Sequence, residues 1–198
     1  MLVSTQVGKK LDPRIKRTRA LLHKSFLELL DDQSFKSITV QSITDRAEVN
    51  RATFYAHFPD KFALLKDSIR QEFRGELEKH VLSACDYSSD NLVALIVTVC
   101  QFIELTSKHC KSTDSQFEVI IEAEVKQQVQ ELLDIWLKQT GSNRDPGIAS
   151  TAASWSIYGL ALRWSFDNKS ASNPSADQFA KHLKALIITI LGVPEHKI

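Results

Sequence analysis

The chain has 198 residues, 43% of them hydrophobic and 25% charged, which is typical of a soluble globular protein long enough to bury a core. No apolar run approaches the length of about 18 residues that a membrane span needs, and the first residues lack a signal-peptide pattern. Three widely spaced cysteines, Cys85, Cys100 and Cys110, exclude a disulfide framework, so we expect free thiols in a reducing cytoplasm.

The first predicted helix spans 12–31, where apolar residues recur at helical spacing. It overlaps a basic block, since residues 9–24 hold seven lysines and arginines against a single acidic residue, Asp12. The whole chain has a net charge of +1, but residues 1–80 carry 15 Lys/Arg against 11 Asp/Glu, a net +4. A basic helix alone is usually a solvated face; beside a DNA-binding motif, such a block neutralises phosphates and makes affinity salt-dependent.

Two short helices joined by a tight turn are predicted next. Thr39 is placed to cap the first, whose inward face carries Val40 and Ile43. Asn50 is placed to cap the second, with Phe54 facing inward. A short helix, a tight turn and a second short helix with this burial pattern form a helix-turn-helix, whose second helix can enter a major groove.

Four residues of the second short helix are left facing outward: Arg51, Ala52, Thr53 and Tyr55. Arginine can bond a guanine edge through two hydrogen bonds, and threonine or alanine can contact a thymine methyl group. These side chains therefore favour DNA reading over a structural role.

The rest of the chain also reads as helices. Asp60 is predicted to cap a fourth helix that runs to about residue 83, and the polar residues 86–90 break it. We accordingly predict a head at 12–72 and a body at 84–198.

The predicted body helices are 92–106, 115–139 as one long or two short helices, 146–168, and a last helix opened by a capping box at Ser175. The fold class is all-α, with an N-terminal three-helix head and a C-terminal body of about five to six helices.

The run VNRATFYAHFPDKFALL at residues 49–65, together with the Ile38-Thr39-Val40 segment before it, resembles the tetracycline-repressor (TetR/AcrR) family of transcriptional regulators. The resemblance covers 12–72 and continues beyond it only as helix number and length. It implies a homodimeric, sequence-specific DNA-binding regulator, usually a repressor released from a palindromic operator by a small molecule.

Carried over position by position, the resemblance implies two sets of DNA contacts. Phosphate contacts are expected from Thr39, Asn50, Tyr55, His57 and Lys61. Base-edge contacts are expected from Gln41, Arg51, Ala52 and Thr53. Three of these have plain alternatives: Tyr55 packing into the core, His57 capping or packing, and Gln41 being solvated.

Two positions depart from the family pattern. Glu48 stands in the turn where the family often has glycine, and a left-handed backbone there would cost about 1 kcal/mol. Ala56 stands where a larger side chain often reaches the DNA backbone, so one phosphate contact is expected to be missing.

A dimer is expected because helix-turn-helix heads bind half-sites about one helical turn apart, or a multiple of it. The last two helices are apolar around much of their circumference, including Phe166, and in the resembled family they pair with their symmetry mates. The predicted interface residues are Leu160, Trp164, Phe179, Leu183, Leu186, Ile187 and Ile190. The alternative is burial of some of these residues inside one chain.

The resemblance also implies an effector pocket among the middle helices for a small, often apolar molecule of unknown identity. The candidate lining residues are Phe102, Phe117, Ile121, Trp136, Trp155 and Tyr158. Each has the alternative of being ordinary core. His109 beside Cys110 is too isolated a pair for a metal site, so neither metal nor cofactor is expected.

Three alternatives stand beside a ligand-released repressor. An enzyme is disfavoured because the chain has no glycine-rich phosphate loop and no nucleophile elbow. A TetR-like regulator whose body binds a protein partner is permitted by the net charge of −3 beyond residue 80. Activation instead of repression is left open.

Overall fold

A computed structural model describes residues 12–80, 86–109, 115–167 and 174–193. These residues form eight α-helices and one short 3-10 helix and contain no strand, which confirms the all-α prediction. The helices are α1 Pro13–Asp32, α2 Val40–Arg46, α3 Arg51–His57, α4 Lys61–His80, α5 Ser89–His109, α6 Ser115–Thr140, α7 Pro146–Asp167 and α8 Ala176–Leu191, with the 3-10 helix at Phe35–Ser37.

The chain divides into two compact units, Met1–Leu65 and Lys66–Ile198. The boundary falls inside α4, one turn after its first residue. The prediction from the sequence ends the head later, at residue 72, where the resemblance to the family ends. The first unit is called the head below, and the second the body.

The head is built on a core contributed by all its helices. Leu22 and Phe26 of α1, Ile43 of α2 and Phe54 of α3 are fully buried, with 0% exposure. Burying each such side chain contributes about 1.5–3 kcal/mol, which holds helices too short to be stable alone. Ile15, in the first turn of α1, is 38% exposed and lies ahead of this core.

In the body, α5 packs against α7 and α8, and α6 packs against α7. The segment predicted as one or two helices is a single helix, because 115–140 contains neither glycine nor proline. It ends at Thr140, and the following Gly141 has a φ of 68°, which is left-handed and suits a residue without Cβ. The capping box predicted at Ser175 is also confirmed, with Gln178 as its partner.

The expectation that no segment is long and apolar enough to span a membrane was too strict. By length and composition alone, Ser89–Ser107 of α5 could cross a membrane, with a mean hydropathy of 1.3. Asp90 and Glu104 interrupt the apolar run in the sequence, but an average over the helix tolerates both. Within the body this helix has its apolar face covered, since Leu92 and Ile96 are fully buried.

Candidate nucleic-acid interface

The first helix of the motif, α2, begins with a reciprocal cap. The Ser42 amide donates to Thr39 Oγ1 at 3.0 Å, and the Thr39 amide donates to Ser42 Oγ at 3.0 Å. Two amides at the helix start are thereby satisfied, which fixes where α2 begins. Thr39 is exposed, so its backbone and side chain lie at the surface of the head, where a DNA phosphate could approach.

The turn between α2 and α3 depends on a left-handed residue. Glu48 has a φ of 54°, and it is the non-glycine residue with positive φ among the described residues. The next amide, that of Val49, donates to the Thr44 carbonyl oxygen at 3.1 Å. The structure therefore confirms the backbone conformation for which glutamate is a strained choice.

The second helix, α3, is held by residues that differ from those it presents outward. Asn50 Oδ1 accepts hydrogen bonds from the Thr53 amide at 2.7 Å and from the Thr53 hydroxyl at 2.9 Å. Phe54 and Phe58 are buried beneath it. The Asn50 oxygen is thus used by the cap, and its amide nitrogen is the end available as a donor to a phosphate. The Thr53 hydroxyl proton is likewise used, which leaves its methyl group as the part suited to a thymine methyl.

Arg51, Ala52 and Tyr55 are exposed on α3. The Arg51 guanidinium carbon lies 6.0 Å from the centre of the Tyr55 ring, and Nη2 donates to the Tyr55 hydroxyl at 3.4 Å. Tyr55 is 49% exposed and also meets the Phe54 ring edge-on. Tyr55 therefore rests on the core while its polar end stays at the surface, and it restrains the neighbouring arginine.

Two further predicted contacts lie at the margins of the motif. Gln41 is exposed on α2, and its Nε2 donates to Asp45 Oδ1 at 2.6 Å, so its amide is oriented along the helix. His57 is the last residue of α3 and is half-buried.

Lys61 has a role that the sequence did not suggest. Its ammonium group donates to the carbonyl oxygens of Phe35 at 2.9 Å, Lys36 at 3.3 Å and Ile38 at 2.7 Å. It also lies 4.5 Å from the centre of the Phe35 ring. Lys61 therefore fastens the 3-10 helix and the segment leading to Thr39, and its phosphate contact stays a prediction.

The basic block is partly described. Arg14, Lys16 and Arg17 are exposed on α1, which keeps their charges available to phosphates. Arg19 lies over the Phe58 ring at 4.5 Å and so also serves the core of the head. The lysines at positions 9 and 10 lie outside the described residues.

Five of the six candidate pocket residues are buried in the body, each at most 7% exposed. They are Phe102, Phe117, Ile121, Trp136 and Tyr158. Trp155 differs: it is 61% exposed, and the Lys126 ammonium lies 3.7 Å from its ring centre. Trp155 lies two helical turns after Ile148, which is also exposed, so the two residues share the outward side of α7.

Three polar groups of the body interior were missed by the sequence analysis. Burial raises the pKa of the Tyr87 hydroxyl, and neither that hydroxyl nor Gln128 Nε2 has a hydrogen-bond partner among the described residues. Glu124 is 2% exposed and is paired with Lys66 and Arg70. No local pattern could have revealed them, since burial of a polar residue depends on elements distant in sequence.

The predicted interface residues fall into three groups. Trp164, Leu183 and Ile187 are buried within the chain; Leu160, Phe179 and Ile190 are half-buried; Leu186 is 49% exposed. The buried residues pack where α7 meets α8. There the Trp164 ring stacks on Phe179, and Trp164 Nε1 donates to the Pro174 carbonyl oxygen at 2.9 Å.

The outward surface of α7 carries large apolar side chains that are more than half exposed. Ile148 is 73% exposed and Phe166 is 64% exposed, with Trp155 between them. Beside them lies a groove of about 300 Å³, lined by Leu160, Arg163, Trp164, Asp167, Pro174 and Phe179. Ile148 was not predicted, because a single isoleucine in a first helical turn gives no periodic signal.

Comparison with known proteins agrees with the head geometry. Residues 27–67 match the family model described as bacterial regulatory proteins, tetR family. A 64-residue stretch is 41% identical to an uncharacterized HTH-type transcriptional regulator, YxbF, of Bacillus subtilis (strain 168). That match covers 32% of this chain and spans only 17% of the relative's length.

Two solved structures resemble the whole chain in fold. A TetR-family regulator from Streptomyces coelicolor A3 superposes with a TM-score of 0.63 at 14% identity, covering 91% of this chain and 98% of that one. The transcriptional regulator FadR from Bacillus subtilis, solved in complex with stearoyl-CoA, gives a TM-score of 0.53 at 14% identity, covering 87% and 97%. At this level of identity the similarity is one of fold.

Proposed function

We propose that this chain, a transcriptional regulator of the TetR family with a DNA-binding helix-turn-helix, is a homodimeric repressor that leaves a palindromic operator when a small molecule binds its body. The observation that carries the proposal is the set of residues that α3 exposes to solvent. A helix fixed by the Asn50 cap and by buried Phe54 presents Arg51, Ala52 and Tyr55 to solvent. Such a helix can enter a major groove and read base edges.

In this proposal the DNA contacts are divided by chemistry. Arg51 reads a guanine edge, while Ala52 and the Thr53 methyl group contact thymine methyls. Phosphates are held by Thr39, Asn50, Tyr55, His57 and the exposed basic residues of α1, which supply affinity without sequence preference. Gln41 is a further base contact, reached from α2.

Dimerisation is supported by the exposed apolar face of α7. Ile148, Trp155 and Phe166, with Leu186 of α8, are large side chains between 49% and 73% exposed. A group of exposed apolar residues on neighbouring helices marks an interaction surface. Two heads that bind one operator must be held a fixed distance apart. A second copy of the chain, packed against this face of α7, would hold them at that distance.

The effector is proposed to be a largely apolar small molecule with a hydrogen-bond acceptor. The buried candidate residues supply aromatic and aliphatic surface, and Gln128 Nε2 supplies a buried donor that has no described partner. A buried donor left unpaired costs about 1–3 kcal/mol, which a ligand acceptor would recover. FadR of Bacillus subtilis, a neighbour in fold, was solved with stearoyl-CoA, an apolar chain with polar groups.

We propose a cytoplasmic location, without a membrane span, because the operator is there and the apolar face of α5 is used by the core of the body. We also propose that the protein catalyses no reaction, since the head is built for binding DNA and the interior groups named above are binding groups.

The experiment that tests this function is selection of genomic fragments by the purified protein, followed by sequencing and footprinting. We expect a palindrome whose half-sites are about 10 base pairs apart, or a multiple of that distance. Enrichment without a shared motif would refute sequence-specific binding, and protection of one half-site would refute the dimer.

The fragment with the highest enrichment is then placed before a reporter gene. Lower transcription in the presence of the protein is expected for a repressor, and higher transcription would show an activator instead. Release of the fragment by a small-molecule extract supports the effector, whereas release only by a protein fraction would overturn it in favour of a protein partner.

A further inference from the structure

Gln41 has its main chain and its side chain held by two different contacts within α2. Thr44, which is buried, donates from its hydroxyl to the Gln41 carbonyl oxygen at 2.9 Å. The Gln41 side chain donates from Nε2 to Asp45 Oδ1 at 2.6 Å. Gln41 and Asp45 are four residues apart and both exposed, so they lie on one face of the helix, one turn from each other. The amide of Gln41 is therefore held at the surface of the head in one orientation.

The partner of a glutamine amide determines which way its two ends face. A half-turn about the last bond of the side chain exchanges the oxygen and the nitrogen, which have almost the same shape. A carboxylate accepts hydrogen bonds and donates none, so Asp45 selects the orientation that brings Nε2 toward it. Nε2 carries two protons, and Asp45 uses one of them. The second proton and Oε1 stay available to another partner of Gln41.

An amide held in this way suits the major-groove edge of adenine. Adenine presents an acceptor at N7 and a donor at N6, and a glutamine pairs with both through its nitrogen and its oxygen. If the amide were rotated by half a turn, its nitrogen would face the N6 donor and its oxygen would face the N7 acceptor. A glutamine that is held in one orientation therefore discriminates adenine better than a glutamine that is free to rotate.

A carboxylate at position 45 is otherwise unfavourable in two respects. Asp45 is the next-to-last residue of α2, and the C-terminal end of a helix is better matched by a positive charge. Asp45 also shares the face of Gln41, so it would approach the DNA phosphates whenever Gln41 contacts a base, which weakens binding to every sequence. The hydrogen bond from Gln41 is the favourable contribution that the structure shows for the Asp45 side chain.

We propose that Asp45 is a positioning residue for base reading: it holds Gln41 Nε2 and so sets the orientation in which the amide meets an adenine edge in each half-site. The inference rests on the proposed function, in which Gln41 is a base contact. Asp45 then affects specificity although it does not itself contact a base. Both residues lie on α2 of the head, so each head reads its own half-site in this way.

The test uses the full-length chain and its selected operator. Gel shifts with every single-base variant, changed symmetrically in both half-sites, give the preference at each base pair for wild type and for Gln41→Ala. The base pair at which Gln41→Ala loses preference is the one that Gln41 reads. Asp45→Asn is then measured on the same duplexes and on a scrambled duplex of equal length. Thermal unfolding is recorded for each variant.

Asparagine keeps the size of the side chain at position 45 but can donate as well as accept, so it no longer selects one orientation of Gln41. We expect the adenine preference at that base pair to fall by about 2- to 10-fold, a part of the discrimination that a two-bond contact gives. Preferences at the other base pairs should change by less than about twofold. Binding to the scrambled duplex should be equal or tighter, because a negative charge near the phosphates is removed.

The matched control is Glu48→Gln. Glu48 is also exposed in the head and the change also removes one negative charge, but Glu48 lies beyond the last residue of α2. Glu48→Gln should leave the preference at every base pair unchanged. An equal fall in Glu48→Gln and Asp45→Asn would assign the effect to charge and overturn the inference. An unchanged adenine preference in Asp45→Asn would also overturn it.

Two further variants separate orientation from stability. Asp45→Glu keeps a carboxylate within reach of Gln41 and should keep most of the adenine preference, so a loss equal to that of Asp45→Asn would overturn the inference. In the Gln41→Ala background, Asp45→Asn should cause no further loss at that base pair, because the two residues act together. A further loss there would show that Asp45 acts without Gln41, which the inference does not allow.

The inference and the proposed function fail in different ways. A wild-type protein that prefers its operator, but loses no preference at any base pair with Gln41→Ala, would overturn the inference and leave the proposed function standing. A wild-type protein without preference between the operator and the scrambled duplex would refute the proposed function, and this inference with it.

Discussion

The ammonium nitrogen of Lys61 lies 2.7 Å from the carbonyl oxygen of Ile38, the residue that precedes the Thr39 cap of α2. Through this bond and those to Phe35 and Lys36, the start of α4 holds the segment that leads to the cap of α2. The lysine that the family resemblance assigns to a phosphate thus has a structural task within the head.

Lys61→Ala should therefore destabilise the head. Removing a charged donor from the part-buried carbonyls of Phe35 and Ile38 is expected to lower the free energy of unfolding by about 1.5–3 kcal/mol. Urea unfolding followed by circular dichroism measures this. Lys36→Ala is the control, because Lys36 is exposed and contributes its carbonyl oxygen rather than its side chain. An unchanged midpoint for Lys61→Ala would contradict the structural role.

The same variant tests the phosphate contact. If Lys61 also holds a phosphate, the slope of log affinity against log salt should fall by about one unit in Lys61→Ala, because one phosphate fewer is neutralised. A slope equal to that of wild type, with lower stability, would assign Lys61 to the fold alone.

Arg51→Ala should weaken operator binding and reduce its sequence specificity. Loss of an arginine bonded to a base edge is expected to cost about 1–3 kcal/mol on the operator and to relax preference at one base pair. Gel shifts with the operator and with single-base variants measure both effects. Arg74→Ala, at an exposed arginine of α4 in the body, is the control. Uniform weakening on all sequences would place Arg51 on a phosphate instead.

Leu186→Glu should disrupt the dimer. Leu186 is 49% exposed on α8, and a charge buried there against a second copy would raise the dimer dissociation constant by at least about 30-fold. Leu105→Glu is a matched control, since that leucine is also 49% exposed but lies on α5. Sedimentation equilibrium distinguishes them. A dimer that tolerates the change at Leu186 and dissociates with the change at Leu105 would place the interface elsewhere.

Glu48→Gly should stabilise the head. The φ of 54° at Glu48 is left-handed, and relief of its strain outweighs the added chain entropy of glycine by up to about 0.5 kcal/mol. Thermal unfolding of the two variants Glu48→Gly and Glu48→Ala measures this. Alanine keeps the Cβ atom and should give no gain, so equal gains from both would attribute the effect to loss of charge.

Local signals predicted local structure well. The caps at Thr39, Asn50 and Ser175 were expected from one residue and its neighbours, and the structure has all three. They could be predicted because a cap depends on residues no more than three positions apart.

Long-range features could not be predicted in this way. Glu124 pairs with a residue 54 positions away, and the sequence around it reads as a solvated helix face. Lys61 is likewise bonded to carbonyl oxygens 23 to 26 positions away. Apolar spacing also could not decide which side of α7 is covered, so Trp155 was expected inside and lies at the surface.

The separation along α3 between residues that hold the helix and residues that face outward has a consequence for how such a regulator can evolve. Asn50, Phe54 and Phe58 fix the helix, whereas Arg51 and Ala52 neither cap it nor enter its core. With α3 reading DNA as proposed, one copy could after gene duplication acquire a new operator through substitutions at positions 51 and 52 while its fold and its body remain as they were.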